Sequence, residues 1–121
     1  MANNSPLNVQ GKTISLQTSA TPSTSQSRAI LPSDFGMGNL PAQVRIVNNG
    51  TGDVWISMTP ATATAVIPTP GTTTVGTPQA VFRLKPGVVE TFTCGGGPAL
   101  FVNDISTVAS QVYDLTPGEG L

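Results

Sequence analysis

The sequence predicts an all-β domain, a sandwich or small barrel of seven or eight short antiparallel strands. Three observations predict it. Short apolar–polar alternations recur at roughly 8–12-residue spacing. Turn formers separate them, with 13 glycines and 11 prolines among 121 residues. Thr and Val abound while Leu, Glu and Lys are scarce, and no segment sets apolar residues at helical spacing among helix formers.

The elements follow in order. Residues 1–27 read as a polar N-terminal arm, in which Ser19 to Ser27 runs Ser-Ala-Thr-Pro-Ser-Thr-Ser-Gln-Ser. Such a tract buries too little apolar surface to offset the entropy lost on ordering. Within it, Lys12 to Thr18 alternates with period two, predicting one short strand over 12–18 that carries Ile14 and Leu16. The arm is then either a loose terminus or a segment that orders on a neighbouring subunit. Residues 28–121 form the sandwich domain. At its start, residues 30–42 mix apolar residues with turn formers and show no period, so Phe35, Met37 and Leu40 are either a core plug or an exposed contact surface.

From Gln43 the strands come quickly. Gln43–Asn48 alternates, Asn49-Gly50-Thr51-Gly52 turns, and Asp53–Met58 follows. Asn-Gly between two such runs predicts a β-hairpin, because both residues tolerate positive φ. Thr59 to Pro78 contains Pro60, Pro68, Pro70 and Pro78, a density of missing donors that makes it an edge or a long loop, with Ala65-Val66-Ile67 as a short edge strand. Gln79–Leu84 and Val88–Thr93 flank Lys85-Pro86-Gly87, where proline and glycine suit the central positions of a type II turn. The turn Gly95–Pro98 leads to Ala99–Val102, and Val108–Leu115 is the last alternating run.

Composition excludes several classes of function. Hydrophobic residues make up 38% of the chain, below the ~45–50% of an average globular protein, and they concentrate after Pro41, so a compact core with a poorly packed leader is expected. Five basic residues, Lys12, Arg28, Arg45, Arg83 and Lys85, are too few and too dispersed to neutralise a run of phosphates, which argues against direct nucleic-acid binding. A net charge of −1 gives little colloidal repulsion, a liability for a free monomer and acceptable in an assembled subunit. Met1 to Pro6 lacks the basic and apolar regions of a secretory signal, and no apolar run approaches a membrane span, so synthesis in a cytosol and no membrane partner are expected. On that expectation, the glycosylation patterns at Asn3 and Asn49 are incidental.

The chain contains no histidine, the residue used most often in general acid–base catalysis. Its acids, Asp34, Asp53, Glu90, Asp104, Asp114 and Glu119, fall mainly in turns and solvated positions and suggest no catalytic pair. Cys94 is the only cysteine, has no histidine to activate it, and reads as a small buried hydrophobe. Gly95-Gly96-Gly97 lacks the Gly-Lys-Ser/Thr and helix of a phosphate cradle. No zinc or calcium ligand spacing occurs. The expectation is a protein with no catalytic, metal or cofactor site. Trp55 has opposite parity to Val54, Ile56 and Met58, so it is either an exposed contact residue or core in a strand covered on both sides.

Val44-Arg45-Ile46-Val47-Asn48-Asn49-Gly50-Thr51-Gly52-Asp53-Val54-Trp55-Ile56, the segment Lys85-Pro86-Gly87-Val88-Val89-Glu90-Thr91-Phe92 and the ending Tyr113-Asp114-Leu115-Thr116-Pro117-Gly118-Glu119-Gly120 carry a resemblance. Together with the short polar leader they resemble small virion structural proteins of tailed bacteriophages, most of all the capsid decoration, or cement, proteins. The resemblance covers residues 43–121 and implies a jelly-roll-like β-sandwich on the outer capsid surface of the virion. It implies the major capsid protein as partner, binding across subunit junctions to stabilise the shell, and a homo-oligomer, a dimer or trimer. It carries over no catalytic residue. Ile14, Leu16, Phe35, Met37, Leu40 and Trp55 are the candidate partner contacts, with the Ile14–Leu16 strand adding to a neighbour's sheet edge. Two other readings stand beside it: a receptor-binding or adhesive module of a tail tip or fibre, for which Trp55 would meet a saccharide or host surface, and a head–tail joining protein.

Overall fold

A computed structural model describes residues 8–94 and 97–119. Nine strands and one short 3-10 turn appear among them: β1 (Asn8–Val9), β2 (Ile14–Gln17), β3 (Gln26–Ile30), the turn Pro32–Phe35, β4 (Gln43–Asn48), β5 (Val54–Thr59), β6 (Phe82–Leu84), β7 (Val89–Thr93), β8 (Leu100–Ile105) and β9 (Val112–Glu119). They form two antiparallel sheets. One runs β1-β9-β4-β7, with β2 also paired to β9; the other runs β3-β8-β5-β6. The all-β sandwich expected from the alternating runs is what the chain builds.

The core lies between the sheets. Val44 and Ile46 of β4, Tyr113 and Leu115 of β9, Val54 and Ile56 of β5, Val102 of β8 and Leu84 of β6 are fully buried there. The period-two pattern explains their selection, since alternate side chains of each strand point to one face. Two different contacts close the lateral sides of the sandwich. At the β6–β7 side, the rings of Phe82 and Phe92 stack with centroids 4.0 Å apart. At the β2–β3 side the closure is polar. Arg28 of β3 faces inward opposite Val102 and reaches Asp104 of β8, Tyr113 of β9 and the Gln17 carbonyl of β2.

The Asn49–Gly52 turn does not make a hairpin. β4 and β5 lie in different sheets, so this turn is an arch over the end of the sandwich, as is Lys85–Val88 between β6 and β7. Asn-Gly supplies the backbone freedom that either connection needs, and the choice between them is made by which distant strand completes each sheet. Here β4 pairs with β9 and β7, whereas β5 pairs with β8 and β6. Buried Asn48 holds both arches. Its Nδ2 donates to the carbonyls of Gly52 (3.0 Å) and Leu84 (2.8 Å), and its Oδ1 accepts from Gly50 N (2.8 Å). Gln111 adds a second staple, its Oε1 accepting from Thr51 N and Gly52 N.

The leader is built into the sandwich along its described part. β2 pairs with β9 from Ile14↔Leu115 to Gln17↔Val112, and Ile14 and Leu16 pack against the core. Gln26–Ile30, which begins inside the tract read as a link, forms β3 against β8. Residues 60–81 form a long excursion, with no strand at Ala65–Ile67. Ala65 is instead buried and donates its N–H to Ser25 Oγ, and an isolated bridge joins Thr69 to Thr77. This excursion folds back over the outer face of the β3-β8-β5-β6 sheet. There Ile67, Pro68, Thr69 and Pro70 face Trp55 and Arg83 across a groove.

Candidate functional site

Alternation places the six candidate contact residues unequally. Phe35 is fully buried at the end of the 3-10 turn, and Ile14, Leu16, Met37 and Leu40 are partly buried against the core. The core-plug reading of residues 30–42 is the one the fold realises. Trp55 alone stays on an outer face, half-buried, pointing away from Val54 and Ile56.

Around Trp55 the outer face and the excursion enclose a groove of about 530 Å³, lined by Trp55, Ile67, Pro68, Thr69, Pro70, Val81 and Arg83. β6 sets Arg83 directly opposite Trp55, and its guanidinium carbon stands 5.3 Å from the indole centroid. Asp53, one residue before β5, fixes that guanidinium by accepting from Nε at 2.5 Å and pairing with Nη2 through the same Oδ2. The wall opposite is pinned by reciprocal backbone hydrogen bonds between Thr69 and Thr77, 3.2 and 3.0 Å long. The sequence offered one signal for this site, the parity of Trp55. Its pairing with Arg83 depends on the β5–β6 register across a long excursion, which no local pattern encodes.

A second group of polar residues lies inside the sandwich. Arg28 Nη1 lies 2.7 Å from Asp104 Oδ2, the same oxygen accepts the Tyr113 hydroxyl, and Gln26 Oε1 accepts from Arg28 Nη2. Burial, then the Asp104 charge and hydrogen bond, push the Tyr113 phenol well above its ordinary value. Burial pulls the Arg28 guanidinium down, but its hydrogen bond to Asp104 and the charges of Tyr113 and Asp104 outweigh it and the net shift is upward. This arrangement ties the two sheets together through one carboxylate oxygen.

The opposite outer face, that of β2-β9-β4-β7, is knit by short polar pairs. Thr13 and Thr116 hydroxyls lie 2.9 Å apart, Ser15 donates to Asp114, and Asn49 Nδ2 donates to Asp114 Oδ2 at 2.7 Å. Cys94 is partly buried, and burial raises its thiol pKa, which disfavours the thiolate. Among the described residues no three His, Cys, Asp or Glu side chains stand together as metal ligands, and no helix is long and apolar enough to cross a membrane. Comparison of the chain with protein-family models, with curated proteins and with solved structures gives no match.

Proposed function

We propose that this chain is a capsid decoration, or cement, protein of a tailed bacteriophage, binding the outer shell across junctions of the major capsid protein and acting without catalysis. The strand orders β1/β2-β9-β4-β7 and β3-β8-β5-β6 read as a jelly roll, the architecture that the resemblance of residues 43–121 implies. The observation that carries the reading is how the subunit uses its charged groups. Asp104 is spent on Arg28, Asp53 on Arg83, Asp114 on Ser15 and Asn49, and Asp34 on the Leu31 N–H. What remains for a neighbour is a nearly neutral Thr-, Ser- and Pro-rich exterior on a block closed at both sides. Such a surface adds a subunit to a shell through many weak contacts, multiplied by repetition. Dimers or trimers would double or triple that valency.

The test uses expanded shells purified without this protein. Incubated with the 121-residue chain, they should bind it to saturation at a copy number fixed by shell symmetry, in the hundreds, and should then resist heating better. Uptake of a handful of copies would move the protein to the tail or neck. No uptake on any shell from its own phage would overturn the reading.

A further inference from the structure

We infer that the Trp55 groove is a binding site for a neutral saccharide. The floor is an indole, and the walls are Ile67, Pro68, Pro70 and Val81, so the groove is lined mainly by apolar groups. Arg83 is the one charged residue among its lining, and Asp53 already neutralises it. The site therefore presents no net charge, and the complementary occupant is itself uncharged. It must also satisfy directed polar groups. The ion pair with Asp53 uses Arg83 Nε and Nη2, so Arg83 Nη1 keeps its bonding capacity in the lining, beside the indole. Thr69 belongs to the same lining.

A sugar ring meets these requirements together. Its C–H face packs on Trp55 and the prolines, while a ring hydroxyl accepts from the Arg83 guanidinium N–H. The volume of about 530 Å³ suits one or two such rings. The site is also preformed. An added Cβ at Gly76 would overlap the Thr69 carbonyl, so the chain turns there at closest approach, and the Thr69–Thr77 bridge holds the wall in place. Little ordering remains to be lost on binding. A proline-rich peptide is the competing occupant of an aromatic groove, but it docks between aromatic ridges and Trp55 is the single aromatic in this lining. A weak single-site affinity becomes firm attachment when many copies are displayed on one particle. The inference adds to the shell-binding reading without resting on it.

Trp55 is the only tryptophan in the chain, so its fluorescence reports this site alone. The isolated chain is titrated with glucose, galactose, rhamnose and N-acetylglucosamine, with glucuronate as a charged comparator and a polyproline peptide as the alternative class. The expected result is a saturable emission change with at least one neutral sugar, at a millimolar dissociation constant. Arg83→Gln, whose ion pair is half-exposed and adds little to stability, should fold normally and weaken that sugar by about tenfold. Trp55→Phe should lose binding by calorimetry. The inference is overturned if no neutral sugar gives a saturable change, if polyproline alone does, or if Arg83→Gln binds as tightly as the parent. Shell uptake is measured separately, so either result leaves that reading to its own test.

Discussion

Asp104 Oδ2 is shared by Arg28, 2.7 Å away on β3, and by the Tyr113 hydroxyl on β9, so one carboxylate oxygen joins the two sheets. Asp104 has no exposed surface and Arg28 keeps 27% of its side chain accessible, so removing Arg28 strands a charge that cannot reach water. Arg28→Met should cost about 3 kcal/mol, as expected when a buried charge loses its partner. Replacing all three groups together (Arg28→Met, Asp104→Leu, Tyr113→Phe) should recover most of it. Urea unfolding midpoints check both, and an unchanged midpoint in Arg28→Met would rule out this role.

The raised phenol of Tyr113 gives a pH dependence. The folded state holds the proton more tightly than the unfolded state. The resulting stability is complete below the ordinary tyrosine value of about 10 and is lost as pH rises through the higher folded value. Stability should fall above that pH, and Tyr113→Phe should flatten the fall. Tyr113 is the only tyrosine, so tyrosinate absorbance follows it directly and should rise together with unfolding.

Asn48→Ala removes three hydrogen bonds to backbone groups of the two arches, from a fully buried site. The expected loss is about 2–3 kcal/mol in chemical denaturation. Asn48→Asp should be worse, because a carboxylate would then face the Gly52 and Leu84 carbonyls.

Gly76→Ala places a methyl group against the Thr69 carbonyl, where the neighbour is backbone and must shift. The excursion lies outside the main core, so the melting temperature should change little. Amide resonances of residues 67–77 and the emission of Trp55 should move. A global loss of dispersion instead would mean that the excursion is part of the folding core.

Local chemistry made the strands legible. Gln43–Asn48 matches β4 residue for residue, and Lys85–Val88 is the type II turn that Pro86-Gly87 requires, with Gly87 at φ 77° and a 3.1 Å bond from Val88 N to Lys85 O. What was not legible was partnership. The Asn49-Gly50 turn has hairpin chemistry and spans two sheets because β9, some seventy residues later in the chain, takes the place beside β4. β3 was hidden because Arg28, which shares the inward face with Ile30, is charged; only the distant Asp104 and Tyr113 make that burial tolerable. Ile14, Leu16, Met37 and Leu40 were open to two readings for the same reason. An apolar side chain does not reveal whether its cover comes from its own chain. Trp55 was singled out by parity alone, while Asp53 and Arg83 beside it looked like ordinary surface charges.

The position of β9 also governs when the chain can fold. It sits at the centre of its sheet, flanked by β4 on one side and β1 and β2 on the other, yet it is the last of the nine strands to leave a ribosome. Until Val112–Glu119 emerges, Ile14, Leu16, Val44 and Ile46 have been synthesised with no strand to join them into one layer. Pairings of such long sequence separation form slowly, and their unpaired edges are open to other chains meanwhile. Translation that stalls before Val112 therefore leaves a half-built sheet with exposed edges, and pairing of β9 is the event that closes it.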